Sequence, residues 1–238
     1  MIDYAQTLQV VQELLERHDR AGLLTRDPGV VLVGGNALMA HQIRMASGDV
    51  DLYFPQYSAD IVREVEREGQ VIYGPDFRLD VTATENLWGM VLIRDIDADS
   101  IDVQKDVIST PGPWAMGPTM SGPQCKNWHL KALSLETLFL IKLDAGREKD
   151  LGDLPLIAAK TTVERICRRF GVLVPWHGMP QAVPGYADRL VQKLHTLYAV
   201  PESDIVARIR PTLPRFIGAM LEETYGSGPS PSTGGPKL

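Results

Sequence analysis

The stretch VLVGGNALMAHQIRMASGDVDLYF, residues 31–54, constrains this chain more than any other. An apolar run ends in Gly34-Gly35, a short helix-like segment follows, and a second strand carries Asp49 and Asp51 between apolar neighbours. Side chains alternate along a strand, so Asp49, Asp51 and Tyr53 share one face while Val50 and Leu52 point into a core. Two carboxylates roughly 7 Å apart on one face repel each other unless a cation sits between them. Hard oxygen ligands on a rigid strand are what divalent-metal sites for phosphoryl transfer require. Gly34 and Gly35 suit the same chemistry. Without side chains they let phosphate oxygens approach the backbone at the start of a helix, and so would cradle a triphosphate.

Around this stretch the pattern predicts a mixed fold. Leu8, Val11, Leu14 and Leu15 recur at helical spacing between Tyr4 and about Leu24. VVLV reads as a short buried strand, Asn36 as the cap of a helix ALMAHQI, DVDLYF as the next strand, and SADIVREVEREG as a helix stopped at Gly69. FRLDVTATE, LWGMVLIRDI and SIDVQKDVI predict three strands in an antiparallel meander. Residues 110–128, rich in Pro, Gly and Ser, read as a long loop near a domain boundary. From Ser134 the chain is helical, in the runs SLETLFLIKLDAG, KDLGDLPLIAAK, TTVERICRRFG, YADRLVQKLHTLYAV and ESDIVARI…FIGAMLEETYG. The expected organisation is an α/β (α+β) domain over 1–128, a helical region over 129–225, and a disordered tail over 226–238.

A net charge of -6 argues against a protein that coats nucleic acid, so no stable DNA binding is expected. Cys125 and Cys167 stand far apart and suggest neither a disulfide framework nor a zinc ribbon. No membrane span or signal peptide is legible, and the expected setting is the cytoplasm. His18, His41, His129, His177 and His195 form no metal-ligand pair, and the Gly-x-Ser-x-Gly, Walker and Gly-x-Gly-x-x-Gly patterns are missing from the sequence. His41 reads as a packing or orienting residue.

An apolar residue, Gly-Gly, 13 intervening residues and Asp-apolar-Asp-apolar, as in VGGNALMAHQIRMASGDVDL, resemble the signature of nucleotidyltransferases with the DNA polymerase beta-like fold. LETLFLIKLDAGREKDLGDL is similar to the helix motif of the AbiEii-type toxins in that superfamily. The resemblance covers about residues 28–158. It implies a largely antiparallel mixed sheet flanked by helices, and transfer of an NMP from an NTP to an acceptor hydroxyl with Mg²⁺ or Mn²⁺. It also implies a third carboxylate beside Asp49 and Asp51. Asp80 in RLDVT and Asp102 in SIDVQ both qualify, and the hairpin that usually precedes the third acid in the toxins favours Asp102. The toxins often carry Arg and Thr where Arg44 and Ser47 stand, which makes these two candidates for touching phosphate or metal-bound water.

Leu135, Leu138, Lys142, Ala145 and Lys149 fall on one helical stripe, so Lys142 interrupts a core-facing surface. It reads either as a lysine that snorkels to solvent or as a cation aimed at the triphosphate. Arg147, Glu148, Lys149, Asp150 and Asp153 read as a solvated helix face; the resemblance makes Lys149, Asp150 and Asp153 supports for Lys142. The resemblance leaves the acceptor open between a tRNA 3′ end, as in the toxins, and a small-molecule or protein hydroxyl, as in other relatives; the toxin reading implies a toxin–antitoxin or phage-defence role with a cognate antitoxin as partner. A small cationic molecule, as for the antibiotic nucleotidyltransferases, and a non-catalytic nucleotide- or partner-binding protein of the same fold are the alternatives. ERICRRF, with Arg165, Arg168 and Arg169, is a modest basic cluster that suits an RNA backbone or simply lies exposed.

Overall fold

The computed structural model describes residues 1–24, 29–82, 86–87, 91–92, 101–102 and 130–226. The chain divides into two compact units, Met1–Glu85 with Ile96–Leu138, and Asn86–Asp95 with Phe139–Leu238. The loop expected over 110–128 lies outside the described residues, as does the tail beyond Gly226. No helix among the described residues is long and apolar enough to cross a membrane.

In the first unit, β1 (Ile2–Asp3) leads into α1 (Tyr4–Arg20), which opens with a reciprocal capping box between Asp3 and Gln6. The predicted stripe Leu8, Val11, Leu14 and Leu15 is buried, and Thr7 and His18 are buried beside it. Next come β2 (Val30–Leu32), α2 (Gly34–Ala40), β3 (Ala46–Ser47), β4 (Asp49–Tyr53) and α3 (Ala59–Tyr73). Arg17 ties α1 to α3 with a 2.7 Å ion pair to Glu68, and Glu13 approaches the same guanidinium at 2.6 Å.

The helix boundaries correct two expectations. α2 begins at Gly34, so Asn36 lies inside its first turn and does not cap it. Gly69 does not stop α3, which runs to Tyr73 and ends at Gly74, whose φ of 106° is a conformation glycine adopts without strain. Gly69 is needed for packing instead: a Cβ there would stand 2.3 Å from the Phe77 ring.

β5 (Arg78–Thr82), β8 (Ile101–Asp102) and β9 (Leu130–Ala132) complete a five-stranded sheet of order β5-β4-β2-β9-β8. β5 and β4 pair in parallel, as do β2 and β9, while β2–β4 and β8–β9 are antiparallel. The sheet is thus mixed, with antiparallel and parallel pairings in equal number. Among the described residues the expected meander does not form: β5 and β8 lie at opposite edges of the sheet, and β6 (Asn86–Leu87) pairs antiparallel with β7 (Val91–Leu92). Turn signals mark where a chain reverses, but the partner a strand takes depends on which distant edge is available, and no local pattern encodes that.

The helical region begins with α4 (Leu135–Ala145), whose first turn belongs to the first unit. The second unit continues with α5 (Glu148–Ala158), α6 (Val163–Leu173), α7 (Val183–Tyr198), α8 (Glu202–Ile209) and α9 (Arg215–Tyr225). Phe170, Tyr186, Leu190, Leu194 and Ile209 are among its fully buried side chains, and the Tyr186 hydroxyl donates to the Leu140 carbonyl at 2.9 Å. Gly146, at φ 63°, separates α4 from α5, so Lys149 belongs to a new helix and not to the Lys142 stripe.

Candidate active site

The Asp-x-Asp strand alternates as its pattern requires. Val50 and Leu52 are fully buried, and Asp49 and Asp51 are half-buried on the other face. Asp51 stands opposite Asp80 on the neighbouring β5, and Asp49 opposite Arg78. Residues paired across two strands share a face, so Asp80, which is exposed, joins the Asp49–Asp51 face.

The Gly-Gly turn is built against these acids. Gly34 has φ 52°, and a Cβ on it would sit 2.2 Å from the Asp51 Oδ2. Both backbone conformation and space therefore demand glycine, and the Asp51 carboxylate occupies the room its missing side chain leaves. Gly35 does the same for Ser47, whose Oγ would lie 2.8 Å from a Cβ there, with an Arg44 guanidinium nitrogen at 3.5 Å. Ser47 is buried and donates to the Asp49 Oδ1 at 2.9 Å.

The backbone of β4 is held from the same turn. The Val33 N–H donates to the Asp51 carbonyl at 3.1 Å, and the Asn36 Nδ2 donates to the Asp49 carbonyl at 3.1 Å. The His41 Nε2 lies 2.7 Å from the Leu133 carbonyl. Gly34, Gly35, Asn36, Ser47, Asp49, Asp51 and Asp80 are thus brought to one corner of the sheet.

Asp102 is not. β9 and β2 separate β8 from β4, and three inter-strand spacings amount to roughly 14 Å. β8 therefore does not neighbour the Asp-x-Asp strand. Asp80 is the residue beside Asp51. Among the described residues, no group of three or more His, Cys, Asp and Glu side chains is gathered as a metal-holding cluster. The donors available at the corner are all oxygens: the carboxylates of Asp49, Asp51 and Asp80 and the Ser47 hydroxyl. This is the hard donor set that suits Mg²⁺ or Mn²⁺ and is ill suited to softer metals.

The second unit holds the other predicted residues. Lys142 is buried, with its Nζ 2.8 Å from both the Asp150 Oδ1 and the Asp153 Oδ2. Burial alone would raise the Asp150 carboxyl pKa, but hydrogen bonds from Arg147 and Lys142 hold it below the usual carboxylate range. Asp150 and Asp153 therefore do hold Lys142, and they are not a solvated face. Neither does the lysine snorkel. Lys149 is exposed, as are Arg165 and Arg168, whereas Arg169 is buried and drops out of the basic cluster.

Thr7 escaped the sequence reading, although it reaches the site: its Oγ1 donates to the Asn36 Oδ1 at 3.1 Å. The available signal was a polar, β-branched residue one position before Leu8 on the buried stripe of α1. No protein-family profile, curated protein or solved structure matches this chain.

Proposed function

We propose that this chain is a metal-dependent nucleotidyltransferase, moving an NMP from an NTP to an acceptor hydroxyl. The observation that carries the reading is the corner where the Asp51 carboxylate fills the space over Gly34 while Asp80 stands opposite it on the next strand. Packing alone gives no reason to set three carboxylates on one face beside a turn that must be glycine. The order of the motifs, which resembles the polymerase beta-like superfamily, supports the same chemistry.

Asp49, Asp51 and Asp80 would hold Mg²⁺ or Mn²⁺, which when bound supplies neutralisation of the triphosphate charge. Ser47 orients Asp49 through its 2.9 Å hydrogen bond, and the Val33 N–H fixes the backbone at Asp51. Asp80, exposed on the edge strand β5, would accept the proton of the acceptor hydroxyl at a carboxylate oxygen. The hydroxyl oxygen then forms its bond to the α-phosphorus, the bond from the α-phosphorus to the bridging oxygen breaks, and pyrophosphate leaves. Lys142, already neutralised by Asp150 and Asp153, is assigned to the stability of the second unit and not to phosphate binding.

The test is incubation of the protein with each labelled NTP, Mg²⁺ and total tRNA, and in parallel with cationic small molecules. Asp51→Asn and Asp80→Asn variants serve as controls. Label on RNA with wild type alone establishes a tRNA nucleotidyltransferase, and label on a small molecule an antibiotic-type enzyme. Nucleotide binding without transfer supports the binding-protein alternative. Transfer that survives Asp80→Asn but not Asp102→Asn refutes the assignment of the third carboxylate.

A further inference from the structure

The backbone of the Asp-x-Asp strand is held in two ways. β2 and β4 form an antiparallel ladder, with Val31 opposite Tyr53 and Leu32 opposite Leu52, and the Val33 N–H continues it to the Asp51 carbonyl. The next acceptor along β4 is the Asp49 carbonyl. By that point the partner chain has turned into α2, and no backbone N–H of β2 remains to meet it. The Asn36 Nδ2 takes that place at 3.1 Å.

A carboxamide can present either end. A backbone carbonyl only accepts, so the end facing Asp49 must be the NH₂, and the Oδ1 must face the other way. There it meets the Thr7 hydroxyl at 3.1 Å, and both residues are fully buried. The Asp49 carbonyl thus sets the amide orientation, and the Thr7 hydrogen bond holds the opposite end of the amide in place. The N-terminal segment reaches the same corner a second time, since Ile2 on β1 pairs with Ser47 on β3, and Ser47 holds the Asp49 carboxylate.

We infer that Thr7 is a positioning residue for the carboxylate site, acting through Asn36 on the backbone of Asp49. The role rests on the reading of Asp49 as a metal ligand. Without the hydroxyl the Asn36 Oδ1 loses its hydrogen bond from Thr7, and the amide that ties the Asp49 carbonyl is held from one end instead of two.

The test compares wild type with Thr7→Val, which matches the shape of threonine without its hydroxyl, and with Thr7→Ser, which restores the hydroxyl. Thr7→Ala is a second hydroxyl-free variant, in case valine disturbs the packing of α1. Amide hydrogen exchange is followed in metal-free protein over residues 46–53, with α3 as an internal control. Exchange over 46–53 is expected to quicken about tenfold in Thr7→Val and Thr7→Ala, with α3 unchanged and Thr7→Ser close to wild type. Mn²⁺ affinity, read by the electron paramagnetic resonance of the free ion, is expected to weaken about five- to tenfold in the same two variants and to recover in Thr7→Ser.

Wild-type exchange over 46–53 in both hydroxyl-free variants overturns the inference. Equal acceleration in α3 overturns it too, because the hydroxyl would then serve general stability. Wild-type protein that binds no Mn²⁺ overturns the nucleotidyltransferase reading instead, and the exchange data alone then decide whether Thr7 holds the strand.

Discussion

Replacing Lys142 with methionine separates a structural role in the buried ion cluster from a role in phosphate binding. The ammonium makes 2.8 Å contacts with Asp150 and Asp153, and the three side chains are only 8%, 3% and 4% exposed. Methionine keeps most of the stem volume but removes the cation that both buried carboxylates contact, while Asp150 keeps Arg147. Breaking a buried pair by removing one partner costs about 3–5 kcal/mol. With a urea m-value of about 2 kcal/mol/M, the midpoint of the second unit should fall by about 1.5–2.5 M at unchanged m. Neutralising both acids in Lys142→Met/Asp150→Asn/Asp153→Asn should recover at least half of that loss, since the penalty belongs to buried charges that have lost the Lys142 ammonium. The assay is urea unfolding followed by circular dichroism at pH 7. A loss below about 1 kcal/mol in the single variant would refute the buried cluster. A triple variant as unstable as the single one would refute the charge argument. A normal unfolding curve combined with a large rise in KM for NTP would return Lys142 to the phosphates.

Three further outcomes follow from the geometry. Gly34→Ala should cut nucleotidyl transfer at least about tenfold and destabilise the first unit by about 1–3 kcal/mol, because it strains φ 52° and displaces the Asp51 carboxylate; kinetics and thermal melting check both. His18 is fully buried, its Nδ1 2.7 Å from the Leu14 carbonyl and its Nε2 accepting the Ser58 N–H at 2.8 Å. Burial lowers its pKa below 6.5 against the opposing effect of the Leu14 bond, so the folded protein binds the proton less well than the unfolded chain. Stability is then complete above 6.5 and is lost as pH falls below it toward the lowered folded value, a slope that His18→Gln should flatten in urea titrations between pH 7.5 and 5. The Cys167 thiol is pushed up to about 12 by burial. In a Cys125→Ser background it should resist maleimide at pH 7.5 and react once urea unfolds the second unit; rapid native labelling would contradict its burial.

The sequence by itself determined the elements whose signal is local. The α1 stripe, the alternation along β4 and the five helical runs from Ser134 onward each answer to a period of 3.6 or 2 within one segment, and each element lies where that period puts it. Gly34-Gly35 and Asp-x-Asp were likewise legible as a pair, because both halves of the motif sit within 20 residues of each other. Tertiary structure alone decided the pairing of strands. Sheet order set Asp80 beside Asp51 and carried Asp102 to the far edge, and residues from Val50 to Asp102 contain no local mark of which edge each strand will take. Burial was equally a tertiary matter. Asp150 and Asp153 look like part of a solvated charged face when written in line, and they form a buried ion cluster because the fold sets them against Lys142 on α4. Asn36 and Thr7 show the same limit. A helix cap and a stripe residue are what their neighbours in sequence predict, whereas their hydrogen bonds reach Asp49 and Asn36 across 13 and 29 positions. Contacts at such separations are made by the folded chain, and no window of sequence contains both partners.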